Sequence, residues 1–269
     1  MTDYARYLRL SKFPLIWCPG CGDGIVLKAL LRAIDRIGLD RNEVCMVSGI
    51  GCSSRTTGYV DVNTLHTTHG RALTFATGIK MARPELTVIV VTGDGDATAI
   101  GGNHFIHAAR RNIDITVVLY NNWIYGMTGG QVSPATPTGD RGSTAPFGSI
   151  EPNFDIAALA AGAGACFVAR ETVAKPFLLD QLIERAIRKK GFSLVEAMTP
   201  CPTTYGRLNK AGDAVAMTRH LKQHSVSQAK ARTLAPEERA DAIVTGVLVD
   251  VDKPEYTEQY ARLRERLHV

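Results

Sequence analysis

Long apolar runs are missing from this sequence. Nowhere do 18 consecutive apolar residues occur, which excludes a membrane-spanning helix. The opening stretch MTDYARYLRLSKFP lacks the apolar core of a secretory signal, so a cytoplasmic protein with no membrane partner is expected. Dense Lys/Arg runs are also missing. A net charge of +5 spread thinly along the chain gives no nucleic-acid footprint, and suits acidic partners or anionic ligands. Internal repeats and low-complexity tracts are absent, and a charged fraction of 21% is that of a globular protein. Cysteine is scarce, six in 269 residues, and in a reducing compartment thiols stay free, so no disulfide framework is expected.

What is present is an alternation of strand-like and helix-like segments. DGIVLKALLRAIDRI (Asp23 to Ile37) has apolar residues at helical spacing, and Gly38 follows as a stop. EVCMVS, LTVIVVTG, DITVVLYNN, CFVAR and FSLVEAMTP read as buried strands. RALTFATGIKMAR, Thr98 to Arg111, FDIAALAAGAGA and PFLLDQLIERAIRKKG read as helices between them, and IGCSSRTTG (Ile50 to Gly58) as a loop rich in glycine and hydroxyls. Apolar strands alternating with helices predict an α/β fold, a doubly wound and mostly parallel sheet covered on both faces. After Pro202 the chain is more polar. One domain over residues 1–202 is therefore expected, with residues 203–269 as a C-terminal extension packed on that core or on a partner. The extension holds one apolar run, AIVTGVLVDV, and a charged helix, YTEQYARLRERL.

The richest stretch is VVTGDGDATAIGGNHFIHAARRNIDITVVLYNNWIYG. One strand ends in Gly93-Asp94-Gly95, a helix follows, and a second strand ends in Asn121-Asn122. Ligands in such sheets sit at the carboxyl ends of strands. Glycines let backbone N–H groups approach a phosphate. A carboxylate and an amide oxygen are hard ligands, so Asp94 and Asn122 suit a magnesium ion carrying a diphosphate. The plainer alternative is a strand-to-helix turn beside an unrelated Asn pair. The full spacing resembles the diphosphate motif of thiamine diphosphate enzymes. That resemblance implies metal ligation by Asp94, Asn122 and the main-chain carbonyl of Ile124.

Two cysteines, Cys45 and Cys166, fall inside apolar strand patterns and read as core. The other four lie in loops or at strand ends: Cys18 and Cys21 in IWCPGCGDG, Cys52 in IGCSSR and Cys201 in TPCPTTYG. On ligand chemistry alone, four thiolates suit zinc or a [4Fe–4S] cluster equally. A structural zinc site usually offers a second close pair, and a thioredoxin-like pair needs no third or fourth thiol.

WCPGCG, SGIGCSSR, HTTHGRALTFATGIK, GDGDATAIGGNHFIHAARRN, LYNNWIYGMTGGQVSPATPTG and TPCPTTYG occur in this order. Together they resemble the β subunit of two-subunit 2-oxoacid:ferredoxin oxidoreductases, over about residues 12 to 207. TGGQ, and GRLN after the last cysteine, look most like the 2-oxoglutarate-specific members; some broader-specificity relatives carry lysine where Gly129 stands. The resemblance implies a [4Fe–4S] cluster on Cys18, Cys21, Cys52 and Cys201, beside thiamine diphosphate and Mg2+. The implied reaction is the CoA-dependent oxidative decarboxylation of 2-oxoglutarate to succinyl-CoA and CO2, in either direction, with electrons passing to ferredoxin.

Individual roles follow from the same resemblance. Gly51, Cys52 and Ser53 approach the cofactor, and Gly93, Gly95, Asp96 and Thr98 line the diphosphate, with a plain helix N-cap as the alternative for Asp96. His69 approaches the cofactor or the reacting carbonyl, where a neutral imidazole would donate to an oxyanion, with a structural His at a helix start as the alternative. On its chemistry alone, the Arg55 guanidinium suits a bidentate contact to the second carboxylate of 2-oxoglutarate, with a plain surface Arg as the alternative. No glutamate stands in a context to activate the aminopyrimidine ring. The family supplies one from an α subunit, which implies an α2β2 assembly inactive without it. Competing readings are a pyruvate or branched-chain 2-oxoacid enzyme, a non-redox thiamine-dependent lyase with a structural zinc, and a non-catalytic electron carrier or zinc-stabilised scaffold.

Overall fold

The computed structural model describes residues 2–268. Its strands are β1 (Val44–Ser48), β2 (Asn63–His66), β3 (Thr87–Gly93), β4 (Thr116–Asn121), β5 (Ile124–Tyr125), β6 (Gln131–Val132), β7 (Phe167–Thr172), β8 (Ser193–Met198), β9 (Ser225–Ser227) and β10 (Ile243–Asp250). Eight of them form one sheet in the order β2-β1-β3-β4-β8-β7-β10-β9. From β2 to β7 every pairing is parallel, and β10 joins β7 antiparallel. Every residue of β1, β4 and β8 is buried. This is the signature of central strands with helices on both faces, and it bears out the expected fold class.

One face carries α1 (Asp23–Ile37), the other α3 (Ala72–Ala82), and each face packs its own apolar core. Between them in sequence comes the single turn α2 (Thr56–Tyr59). The helix α1 packs Val26, Leu30 and Ile34 inward and stops at Gly38, whose φ of 78° is the left-handed cap glycine adopts without strain. The remaining helices are α4 (Asp94–Thr98), α5 (Gly102–Arg110), α6 (Ile156–Ala163), α7 (Pro176–Arg188), α8 (Ala214–His224), α9 (Gln228–Ala231), α10 (Pro236–Ala240) and α11 (Tyr256–Leu267).

Three local differences from the sequence reading have clear causes. The helix read from Thr98 begins four residues earlier, at Asp94, breaks after Thr98 and resumes at Gly102. A Cβ on Gly101 would lie 2.4 Å from the Asp96 carbonyl oxygen, so the chain turns there around a glycine. Ile50–Gly58 winds into short helical turns instead of an open loop. Asn63–His66 forms an edge strand whose half-exposed, polar residues hid it from any apolar pattern. The apolar run of the C-terminal extension becomes β10, so the extension lengthens the sheet while remaining outside the parallel core.

Candidate active site

The carboxyl ends of β1, β3 and β4 lie side by side and feed the segments 49–55, 93–98 and 121–131. These segments line a cavity of about 340 Å3. Its walls include Gly51, Cys52, Ser53, His69, Gly93, Asp94, Gly95, Asp96, Asn122 and Ile124, all singled out from the sequence.

Asp94 opens α4 directly from the end of β3. Its carboxylate is buried and accepts from Ser133 Oγ at 2.5 Å. Burial raises its pKa from the usual carboxylate range to about 7, offset in part by the Ser133 hydroxyl and the Gly95 N–H. Asn122 lies at the end of β4, and its Oδ1 accepts from the Ile124 N–H at 3.3 Å. The residue between them, Trp123, has a φ of 63°, which is costly for a side chain of that size. A Cβ on Gly93 would come within 3.3 Å of Ser53 Oγ, and one on Gly95 within 2.2 Å of the Tyr125 ring. Tyr125 closes the floor by donating its hydroxyl to the Gly95 carbonyl at 3.0 Å.

Asp96 serves neither as an N-cap nor only as a wall. The cap of α4 is Gly93, with no side-chain bond. The Asp96 carboxylate instead collects donors from two loops and the end of β3. It accepts from Thr92 Oγ1 at 2.6 Å, from Gly70 N at 2.8 Å, from Ile50 N at 3.2 Å and from His69 Nδ1 at 2.7 Å. A Cβ on Gly49 would fall 2.2 Å from its Oδ2, so glycine there is what lets β1 approach this carboxylate. The His69 ring then stands edge-on to Tyr125, with ring centroids 5.9 Å apart.

Two buried groups facing this cavity lack a nitrogen or oxygen partner. Ser53 Oγ forms no hydrogen bond, and the completely buried Asp23 carboxylate has no nitrogen or oxygen partner, only the neighbouring Cys21 thiol. Burial raises the Asp23 pKa to about 7. Unmatched buried polar atoms on a cavity wall call for a ligand that supplies their partners. With the glycine turn, a carboxylate and an amide oxygen, they form a donor set that fits a diphosphate with a divalent cation.

The four loop cysteines also come together. Cys18, Cys21, Cys52 and Cys201 line a neighbouring cavity of about 200 Å3, beneath Ile16, Trp17 and Thr203. Cys18 is exposed, Cys201 buried, and the other two half-buried. The two cavities share Cys52, Asn122, Gly126 and Met127 as a common wall. Gly126 separates two sulfurs: a Cβ there would lie 3.4 Å from Cys201 Sγ and 3.5 Å from Cys52 Sγ. Burial pushes the Cys52 thiol up to about 12, with the nearby Asp23, Cys201 and Cys18 adding to it, and burial likewise raises Cys21. The Cys21 and Cys52 thiols, which burial holds protonated, need a cationic centre to become thiolates. Among the described residues, no three His, Cys, Asp or Glu side chains converge on a point that a single ion would occupy. Tetrahedral zinc would need sulfurs within about 4 Å of one another. Four thiols lining one cavity offer the ligand set of a polynuclear iron–sulfur group.

Two residues from the sequence reading stand elsewhere. Thr98 is buried and donates its hydroxyl to the Asp94 carbonyl at 2.6 Å, inside its own helix and off the cavity wall. Arg55 lines a separate cavity with Lys12, Pro14 and Tyr59. Sequence reasoning did not single out Asp23, Tyr120, Tyr125, Gly126, Met127 or Gln131 as lining residues. Asp23 carried a signal in CGDG, a carboxylate two residues after a candidate ligand. Cys45 and Cys166 are buried, as expected.

Residues 49–197 match the family described as thiamine pyrophosphate enzyme, C-terminal TPP binding domain. The chain is 50% identical to the 2-oxoglutarate synthase subunit KorB of Methanocaldococcus jannaschii, over 99% of each chain. It is 54% identical to the protein of the same name from Archaeoglobus fulgidus, over 83% of this chain and 81% of that one. Among solved structures it is similar to the 2-oxoglutarate:ferredoxin oxidoreductase of Magnetococcus marinus, which holds 2-oxoglutarate, coenzyme A and succinyl-CoA. That likeness has a TM-score of 0.88 and 35% identity, and covers all of this chain and 91% of that one. No helix among the described residues is long and apolar enough to cross a membrane.

Proposed function

The chain belongs to the KorB-type subunits of 2-oxoglutarate synthase, within the thiamine pyrophosphate enzymes, and on that premise we propose that it is the cofactor-binding half of a CoA-acylating 2-oxoglutarate:ferredoxin oxidoreductase. The proposed reaction converts 2-oxoglutarate, CoA and two oxidised ferredoxins to succinyl-CoA, CO2, a proton and two reduced ferredoxins, and runs either way. The observation that carries this reading is the common wall. A diphosphate-type cavity and a four-cysteine cavity meet at Cys52, Asn122, Gly126 and Met127, so a carbon centre in one adjoins an electron acceptor in the other.

In this reading Asp94, Asn122 and the Ile124 carbonyl hold Mg2+, and Cys18, Cys21, Cys52 and Cys201 hold a [4Fe–4S] cluster. Bound thiamine diphosphate supplies the electron-sink chemistry that lets a 2-oxoacid lose CO2. The residues of this chain do the placing. Gly93 and Gly95 let Ser53 and Tyr125 close in on the turn that carries the diphosphate, and Ser53 donates its free hydroxyl toward it. Asp96 fixes the tautomer of His69: a carboxylate accepts, so Nδ1 carries the proton and neutral Nε2 accepts. His69 thus takes up a proton at Nε2, and donates to an oxyanion only as imidazolium. The expected donation from a neutral ring does not suit this geometry.

No glutamate is among the residues lining the cavity. A partner subunit supplies the group that activates the aminopyrimidine, in an α2β2 assembly. The deciding experiment uses the two subunits co-purified without oxygen. The visible absorption of the cluster should bleach on adding 2-oxoglutarate with CoA. A coloured complex that bleaches only with pyruvate or a branched-chain oxoacid would overturn the substrate. A colourless complex containing zinc would overturn the redox function.

A further inference from the structure

The paired asparagines at the end of β4 face opposite ways. Asn122 lines the cofactor cavity, while Asn121 turns to the other side of the strand end. There the buried Asn121 Nδ2 donates to Glu196 Oε1 at 2.7 Å. Glu196 is buried in β8, and its Oε2 accepts from Arg170 Nε of β7 at 2.7 Å. Arg170 reaches on to Asp155, the residue that caps α6. Since Asn121 gives its NH2 to a carboxylate, its oxygen is free to accept, and it takes the Trp123 N–H at 3.1 Å. That bond closes over the turn in which Trp123 has its left-handed φ of 63°. Thr136 Oγ1 holds the Trp123 carbonyl from outside at 2.5 Å, and the Asn121 carbonyl accepts from Thr199 N at 2.8 Å.

We propose that Glu196, oriented by Arg170, is a positioning residue for the cation site: it clamps Asn121, and Asn121 fixes the turn that presents Asn122 and the Ile124 carbonyl. This rests on the reading that those two residues and Asp94 hold a divalent cation. The physical case has two parts. A buried ion pair is weak evidence for stability, since an apolar pair of similar volume often serves as well. Placed across three strands and ending on a strained turn, its use is orientation. Moreover, only an amide at position 121 can donate to Glu196 and accept from Trp123 at once. A carboxylate there would face Glu196 with like charge. Outer hydrogen-bond partners of this kind govern how well ligands hold a metal.

The test reads cation affinity rather than turnover. In the complete complex, thiamine diphosphate binding is followed through tryptophan fluorescence, with Trp123 adjacent in the chain to Asn122, while Mg2+ is titrated. Glu196→Gln should raise the half-saturating Mg2+ by about 10- to 100-fold. Adding Asn121→Asp to that variant exchanges donor and acceptor, keeps every bond including that to Arg170, and should restore the wild-type midpoint. Arg170→Lys, a milder change, should move the midpoint the same way by less, and serves if Glu196→Gln does not fold. A lowered melting temperature with an unchanged Mg2+ midpoint would make the network merely structural and overturn the proposal, as would a double variant no better than Glu196→Gln alone. Wild-type complex that binds thiamine diphosphate without any Mg2+ dependence would instead overturn the reading of the cation site itself.

Discussion

The two adjoining cavities are built on different principles. The wall of the Asp94 cavity is a strand-end frame tied together by side-chain hydrogen bonds, with Ser53 and Asp23 left without nitrogen or oxygen partners facing in. Asp96 alone ties β3 to the segments at Ile50, His69 and Gly70. The four-cysteine cavity is assembled from residues 16–21, 52, 126–127 and 201–204, which share no common element. One site is shaped before a ligand arrives. The other is a gathering of loop thiols, of which Cys21 and Cys52 are held protonated by burial until a cationic centre fills the cavity. The difference teaches where each site is vulnerable: the first through its frame, the second through its occupant.

The largest effects should separate the two. Asp94→Ala removes the only carboxylate among the proposed cation ligands and should lower thiamine diphosphate affinity in the presence of Mg2+ by at least about 100-fold. The iron content and visible colour of the complex should stay intact. Cys18→Ser, at the exposed edge, should strip iron while leaving thiamine diphosphate affinity unchanged. Cys52→Ser should damage both, because Cys52 stands in both walls. If Cys52→Ser and Cys18→Ser behave alike in calorimetric binding of thiamine diphosphate, the common wall is not functional.

A smaller effect should come from the frame. Asp96→Asn turns one acceptor into a donor facing Thr92 or His69, and should destabilise the fold by about 2 kcal/mol, read by denaturant melts. It should also slow turnover, by releasing the His69 tautomer.

The pH dependence of stability sharpens the same contrast. Asp94 and Asp23 have folded pKa values raised to about 7, against 3.8 for the free side chain. The folded state therefore holds more protons than the unfolded state between these values. Metal-free protein should lose stability as pH rises from about 4 to about 7, and Mg2+ with thiamine diphosphate should flatten that slope. Thermal melts with and without the cation would show it. A slope that Asp94→Asn leaves unchanged would mean that the cavity is already hydrated and Asp94 titrates as a free carboxyl.

The smallest effect concerns Arg55. From the sequence, Arg55→Ala should raise KM for 2-oxoglutarate more than for 2-oxobutyrate. Its place beside Lys12 and Tyr59, off the cavity wall, leads us to expect no change for either substrate. A selective rise for 2-oxoglutarate would restore the role read from the sequence.

The central strands, α1, α3, α6 and α7 were legible because each is a local pattern of burial. So were Asp94 and Asn122, since a glycine turn, one crossover helix and a strand end are contiguous in the chain. The cysteine quartet was legible as a set only through the order of its motifs. The role of Asp96 was not legible, because three of its four partners lie 26 or more residues away. Glu196 read as one polar residue in an apolar strand, and only the pairing of β4 with β8 sets it against Asn121.

The sequence by itself determined which chemistry is available: hard oxygen ligands at two strand ends, four loop thiols, and glycines where backbones must come close. Those follow from residue type and spacing along a few turns of chain. Only the tertiary structure decided that the thiols and the oxygen ligands share a wall, that Arg55 stands apart, and that Asn121 is held by a buried ion pair. Such facts depend on contacts between segments far apart in the chain. Those contacts are set by how helices and strands bury their apolar faces together, and no local pattern encodes them.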